Sequence, residues 1–191
     1  MINYSLLDKS ISHYTEHGFK RIESPWAVSE YIIDLTLDNP IRHKNKLLHN
    51  NKCLVGSGEQ SFLYLMLKDF LPRGKYQTIT PCFRDEPFFD LTHTKYFMKN
   101  ELINTENVSK LYLIEIIDAA LLFFRQYFEK VELIDNHSKT PSYVINVKID
   151  NNEYEIGSYG IRKTDWCEWI YGTGLAEPRF STLLKIQNGI S

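Results

Sequence analysis

The sequence predicts an α+β domain, a largely antiparallel sheet with helices segregated against it. Two strand pairs carry that reading: residues 76–84 with 96–103, and residues 143–149 with 153–161. A long apolar helical pattern lies between them, over residues 109–132. The third observation is negative. The elements do not alternate as βαβ units, and neither GxGxxG nor GxxxxGK[ST] occurs, so any nucleotide site must use another device.

Taken in order, residues 3–17 have helical spacing and stop at Gly18, a residue suited to the left-handed conformation that ends helices. Residues 19–24 read as a strand broken at Pro25, and residues 28–37 as a short helix or strand. Residues 38–52 form a polar loop region, and residues 53–55 a brief strand. A glycine turn at 56–58 leads into a helix over 59–71, ended by Pro72 and Gly74. In the helix over 109–132, apolar residues cover most of the circumference, which predicts burial along much of its length. Asp150-Asn151-Asn152 joins the second strand pair as a hairpin. The segment GTGLAEPRFSTLLKIQ reads as strand, glycine turn and helix. No repeat, linker or low-complexity segment divides the chain, so the expectation is one domain over residues 1–191.

Composition narrows the function classes. With 43% hydrophobic residues, a chain of 191 can bury a core without disulfides or metals. A formal charge of −2 lacks the basic excess of proteins that live on duplex nucleic acid, although a local patch stays open. Cys53, Cys82 and Cys167 are odd in number and far apart, which predicts reduced packing thiols in a cytoplasmic protein. No signal-peptide layout and no bilayer-length apolar run are present, so no membrane partner is expected.

The chemistry concentrates in PCFRDEPFFDLTHTKYFMKNEL, residues 81–102. On a strand Arg84 and Glu86 share a face, as do Phe97, Lys99 and Glu101 on the returning strand. An arginine opposite an aromatic ring, with His93 in the connection, suits a nucleotide: guanidinium on phosphate, ring under base. Taken alone, FRDE reads equally as a surface charge cluster, and Glu101 has the lesser alternative of a plain surface ion pair with Lys99 or a neighbouring strand.

The chain resembles the catalytic core of class II aminoacyl-tRNA synthetases, whose three signatures stand here in order. HGFKRIESPW (17–26) resembles the first, a dimer-forming helix and strand that ends at a proline. CFRDE with HTKYF resembles the second, and GTGLAEPRF (172–180) the third. GSGEQS (56–61) resembles the loop that binds the substrate amino group, and EIGSYGIR (155–162) the strand that carries a metal-binding glutamate. These matches run from about residue 12 to 186. SGE, PCFRDE, FMKNEL and GTGLA lean toward the seryl-type branch and its amino acid:carrier-protein ligase relatives, while EPR is shared with glycyl and prolyl types.

The resemblance implies a role for each position. Arg84 would hold the α-phosphate, Glu86 the adenine amino group and His93 the outer phosphates. Phe97 would stack beneath adenine, with Arg179 above it and reaching the γ-phosphate. Glu155 with Ser158 would ligate Mg²⁺, a hard cation that takes oxygen donors. Ser57 and Glu59 would fix the substrate ammonium, Glu101 would face its side chain, and Tyr171 would narrow the pocket edge. The relatives' zinc, held by cysteines and a glutamate, is not expected, because Ser57 or its neighbours, Glu101 and Tyr171 stand at the matching places. Trp166 and Trp169 read as core or pocket wall. The seryl tRNA-gripping arm and an anticodon-binding domain are not expected within the chain.

The expected function is ATP-dependent formation of an aminoacyl-adenylate, with transfer to a carrier protein, another protein or a small amine. Two alternatives stay open: a minimal tRNA-charging enzyme working with a separate tRNA-binding partner, and a silent amino-acid-sensing paralogue. The first signature further implies a homodimer through residues 12–26.

Overall fold

The computed structural model describes residues 1–36, 48, 51–85 and 94–190. Its centre is a seven-stranded sheet in the order β1-β4-β5-β9-β8-β7-β6. The members are β1 (Lys20–Arg21), β4 (Lys75–Phe83), β5 (Tyr96–Asn104), β6 (Val131–Asp135), β7 (Ser142–Ile149), β8 (Asn152–Lys163) and β9 (Glu168–Glu177). Every neighbouring pair is antiparallel except β1 with β4. A separate ribbon pairs β2 (Ala27–Ser29) with β3 (Lys52–Leu54). The helices are α1 (Tyr4–Glu16), α2 (Glu30–Asp34), α3 (Gly58–Leu67), α4 (Lys110–Phe124) and α5 (Arg179–Gln187).

Residue alternation along the strands separates two faces. On β7, Tyr143, Ile145, Val147 and Ile149 are buried, and they join Leu102, Tyr159, Ile170 and Leu175 in the larger core. Helices α1, α4 and α5 cover that face through Leu7 and Tyr14, Ile117 and Phe124, and Phe180 and Leu183. The opposite face carries a smaller core in which Val28, Ile32, Cys53 and Phe62 pack on Tyr76, Ile103 and Trp169. The two-stranded ribbon and α2 and α3 therefore lie on the face that carries Lys99 and Glu101.

Several element boundaries match the sequence reading, although α3, expected over 59–71, ends at Leu67, where Asp69 turns the chain at φ 55°. Gly18 ends α1 at φ +86°, and Asp150 takes φ 54° in the β7–β8 turn. Residues 28–37, open between helix and strand, supply both, as β2 and then α2. Residues 19–24 form only the two-residue β1, continued by an Ile22 N–H bond to the Gln77 carbonyl.

Two further expectations are corrected. The helix placed over 109–132 ends at Phe124, and residues 131–135 form the edge strand β6, paired with β7 from Val131↔Val147 to Asp135↔Tyr143. Helical periodicity runs past Phe124 because Tyr127 and Phe128 still pack on Phe180, but the open hydrogen-bonding edge of β7 claims the next segment. Nor is GTGLAE a turn, because β9 continues through it as one strand with an irregularity at Gly174. Its glycines permit close approach instead. A Cβ on Gly172 would lie 2.8 Å from Tyr159, and one on Gly174 2.9 Å from Tyr14. Those two phenols donate to the neighbouring Thr173 and Gly174 carbonyls at 2.6 and 3.0 Å.

Candidate active site

The site begins where α3 meets the sheet. Ser57 caps the helix by accepting from the Glu59 N–H at 3.3 Å. Gly58 follows, pressed so closely on the sheet that a Cβ would lie 2.8 Å from Glu101 Cβ and 3.0 Å from Thr80 Oγ1. Only a residue without a side chain brings the helix N-terminus this near to β4 and β5. Ser57 Oγ thereby reaches Glu101 Oε2 and donates to it at 2.6 Å.

Glu101 is 1% exposed, and Lys99 on the same strand face approaches its two oxygens at 3.0 and 2.9 Å. The Lys99–Glu101 pair open from the sequence thus exists, but its place is the interior. Opposite Glu101 stands Thr78 on β4, whose hydroxyl lies 3.0 Å from Ser24 Oγ. On the other side stands Thr173 on β9, brought into register by an irregularity between Asn100 and Glu101.

Glu59, also buried, accepts from Trp169 Nε1 at 2.6 Å and from the Arg162 guanidinium. Arg162 and Trp169 are direct cross-strand partners on β8 and β9. The Arg162 guanidinium carbon lies 4.3 Å from the centroid of the Tyr171 ring. That ring lies across Gly160, where a Cβ would meet Tyr171 Oη at 2.7 Å.

Arg84 sits just past β4. Its Nε donates to the Gly56 carbonyl at 2.9 Å, and its guanidinium carbon lies 5.3 Å from the Phe97 centroid. The guanidinium–aromatic pair is therefore formed, and Gly56 ties it to the loop that leads to Ser57. Glu86 and His93 lie outside the described residues.

Glu155 and Ser158 are three apart, a spacing that puts two residues of a regular strand on opposite faces. An irregularity in the β7–β8 register resolves the conflict: Ile145 faces Gly157 while Asn146 faces Glu155, leaving Ile156 as the extra residue. Glu155 and Ser158 then share the face opposite the larger core. Arg179, the first residue of α5, donates from Nη1 to the Glu155 carbonyl at 3.2 Å.

The structure thus links Ser57, Glu59, Glu101 and Tyr171 through Lys99, Arg162 and Trp169. It joins Arg84 to Phe97, and Arg179 to the strand of Glu155 and Ser158. Arg162 escaped the sequence reading, though its four-residue step from Ser158 along β8 was a usable signal. Trp169, read as core or pocket wall, is buried and also a donor to Glu59. Cys82 lies nearby, but burial pushes its thiol up to about 12, which removes it as a nucleophile near neutral pH. Among the described residues no cluster of three His, Cys, Asp or Glu is placed to hold a metal, and no helix is long and apolar enough to cross a membrane.

No protein-family model and no curated protein sequence matches this chain. Solved structures do match in shape. A pyrrolysyl-tRNA synthetase of Desulfitobacterium hafniense superposes with a TM-score of 0.74 at 16% identity, over 98% of this chain and 67% of its own. A cytoplasmic serine-tRNA ligase of Naegleria fowleri, in complex with AMP, gives 0.75 at 13% identity over 98% and 54%. A seryl-tRNA synthetase of Pyrococcus horikoshii, complexed with ATP, gives 0.73 at 15% identity over 94% and 50%. The chain spans about two thirds of the first of these and about half of the other two. Its fold is that of the class II synthetase catalytic core, as the ordered signatures imply.

Proposed function

We propose that this chain activates an amino acid with ATP, forming an aminoacyl-adenylate and pyrophosphate. One observation carries the proposal: a single sheet face presents a guanidinium on an aromatic ring, Arg84 on Phe97, beside two buried and neutralised carboxylates, Glu101 and Glu59. The first pair suits a nucleotide, and the second group suits a small zwitterion that brings no net charge.

In the reaction, a carboxylate oxygen of the amino acid attacks the α-phosphorus, and the bond to pyrophosphate breaks. No general base is required, because the nucleophile is already ionised. The chain contributes alignment and charge stabilisation. Arg84 meets charge growing on the α-phosphate, Phe97 supports the adenine, and Arg179 covers it from the first turn of α5. Glu86 and His93 complete the nucleotide contacts in this reading. Ser57, Glu59, Glu101 and Tyr171 surround the amino acid. Glu59 can still take an ammonium, since an ionised carboxylate offers about four acceptor positions.

Glu155 and Ser158 lie on the same strand face and offer carboxylate and hydroxyl oxygens, a donor set that fits Mg²⁺. When bound there, the ion would neutralise charge on the polyphosphate. For the acceptor, the acidic balance favours a carrier protein, another protein or a small amine over tRNA. A homodimer through residues 12–26 belongs to the same reading and is tested by light scattering.

The decisive experiment is ATP–pyrophosphate exchange with each of the twenty amino acids in turn. Exchange with one of them, lost by at least about 10²-fold in Arg84→Ala, is the expected result. Undiminished exchange in that variant would overturn the assignment of Arg84.

A further inference from the structure

We infer that Arg162 is a positioning residue for the amino-acid end of the site, acting through Glu59 and Tyr171; this rests on the proposed adenylation reading. Arg162 and Trp169 face each other across β8 and β9, and both donate to the same carboxylate, Glu59, one to each oxygen. That carboxylate belongs to the first turn of α3, two residues after Ser57. Arg162 therefore ties the N-terminus of α3 to β8, while Ser57, through Glu101, ties it to β5. With Trp169 of β9 on the same carboxylate, the helix end is held from three successive strands, β5, β9 and β8.

The second contact sets the pocket wall. Arg162 covers the Tyr171 ring at 4.3 Å, and Gly160 leaves the space beneath that the ring occupies. A flat guanidinium both donates to a carboxylate and stacks on an aromatic ring, a combination that lysine lacks. The Arg162 side chain is 28% exposed against 4% for Glu59, so the cation is the solvent-reaching partner of a buried anion. In this arrangement Arg162 decides how much negative charge Glu59 presents to an incoming ammonium, and where Tyr171 stands. It touches neither nucleotide nor reacting atoms in this reading, so its influence falls on amino-acid binding.

The test compares exchange kinetics of the unaltered chain with Arg162→Met, Arg162→Lys, Glu59→Gln and the double variant Glu59→Gln/Arg162→Met. The double variant guards against a folding failure, since removing both partners leaves no unpaired buried charge. The expected result is a rise of about tenfold or more in KM for the amino acid in Arg162→Met, and in the double variant a rise beyond that of Glu59→Gln alone, with KM for ATP within about twofold. Arg162→Lys should recover only part of the loss, because the charge returns without the stacking plane. An unchanged amino-acid KM in folded Arg162→Met, a folded double variant no different from Glu59→Gln alone, or an equal rise in both KM values would overturn the inference while leaving adenylation intact. Absence of exchange in the unaltered chain with every amino acid would overturn the adenylation reading, and the positioning role with it.

Discussion

Glu101 and Glu177 are both buried carboxylates on neighbouring strands of one sheet, yet they solve desolvation differently. Glu101 looks into the candidate site and has a cation, with Lys99 Nζ at 2.9 Å and Ser57 Oγ at 2.6 Å. Glu177, at the end of β9, has hydrogen-bond donors: the Asn3 N–H at 3.1 Å, the Ser181 N–H at 3.1 Å and the Ser181 hydroxyl at 2.7 Å. Burial raises the Glu177 pKa above its ordinary 4.5, a shift that those donors oppose but do not cancel. The difference separates two uses of an acid. At Glu177 the carboxylate fastens the start of α1 to the first turn of α5, whereas Glu101 is paired with Lys99 on its own strand and with Ser57 at the start of α3.

The largest effect should come from breaking the paired site. Lys99→Met leaves Glu101 buried with Ser57 as its remaining donor among these contacts, and should cost about 3–5 kcal/mol of stability. Denaturant unfolding would measure it, and pyrophosphate exchange should fall in parallel. Adding Glu101→Gln to that variant should recover most of the stability and none of the exchange. Full stability in Lys99→Met alone would mean that Glu101 does not depend on the pair.

A smaller effect is expected at Gly58. Alanine there gains at most about 1 kcal/mol of helix propensity. Against that gain stands a Cβ only 2.8 Å from Glu101 Cβ, an atom close to the backbone that cannot swing away. Overpacking of this kind costs about 1–3 kcal/mol, so Gly58→Ala should be net destabilising by about 1 kcal/mol. A melting temperature equal to or above that of the unaltered chain would show that α3 can lift off the sheet.

The smallest effect, and the sharpest on the comparison, is the pH dependence of Glu177. Its folded pKa is raised, so the folded state binds the proton more tightly than the unfolded state does. Stability from this group is therefore present below the unfolded value near 4.5 and falls as pH rises through the folded value. Glu177→Gln should flatten that decline in unfolding midpoints measured upward from pH 4.5. An unaltered pH profile would mean that the donors fully compensate for burial.

Much of the fold was legible because it rests on local pattern. The alternation in SYVINVKI places Tyr143, Ile145, Val147 and Ile149 on one face, and the structure buries all four. Gly18 ended α1 where its left-handed backbone was expected. The errors fall where a neighbour outvotes local pattern. The segment after Phe124 keeps apolar spacing yet joins the edge of β7. Gly172 and Gly174 look like turn residues until the rings of Tyr159 and Tyr14 are seen pressed on them.

By itself the sequence determined the α+β class, the order of the signatures, and the shared strand face of Phe97, Lys99 and Glu101. Each of these follows from periodicity or order along one chain. Only the tertiary structure decided that Arg162 and Trp169 meet Glu59, more than a hundred residues away in sequence. It also decided that a register irregularity puts Glu155 and Ser158 on one face, and that the Lys99–Glu101 pair is interior. Strand alternation tells which way a side chain points on its own strand. What it meets there depends on the packing of distant segments, and no local periodicity encodes that.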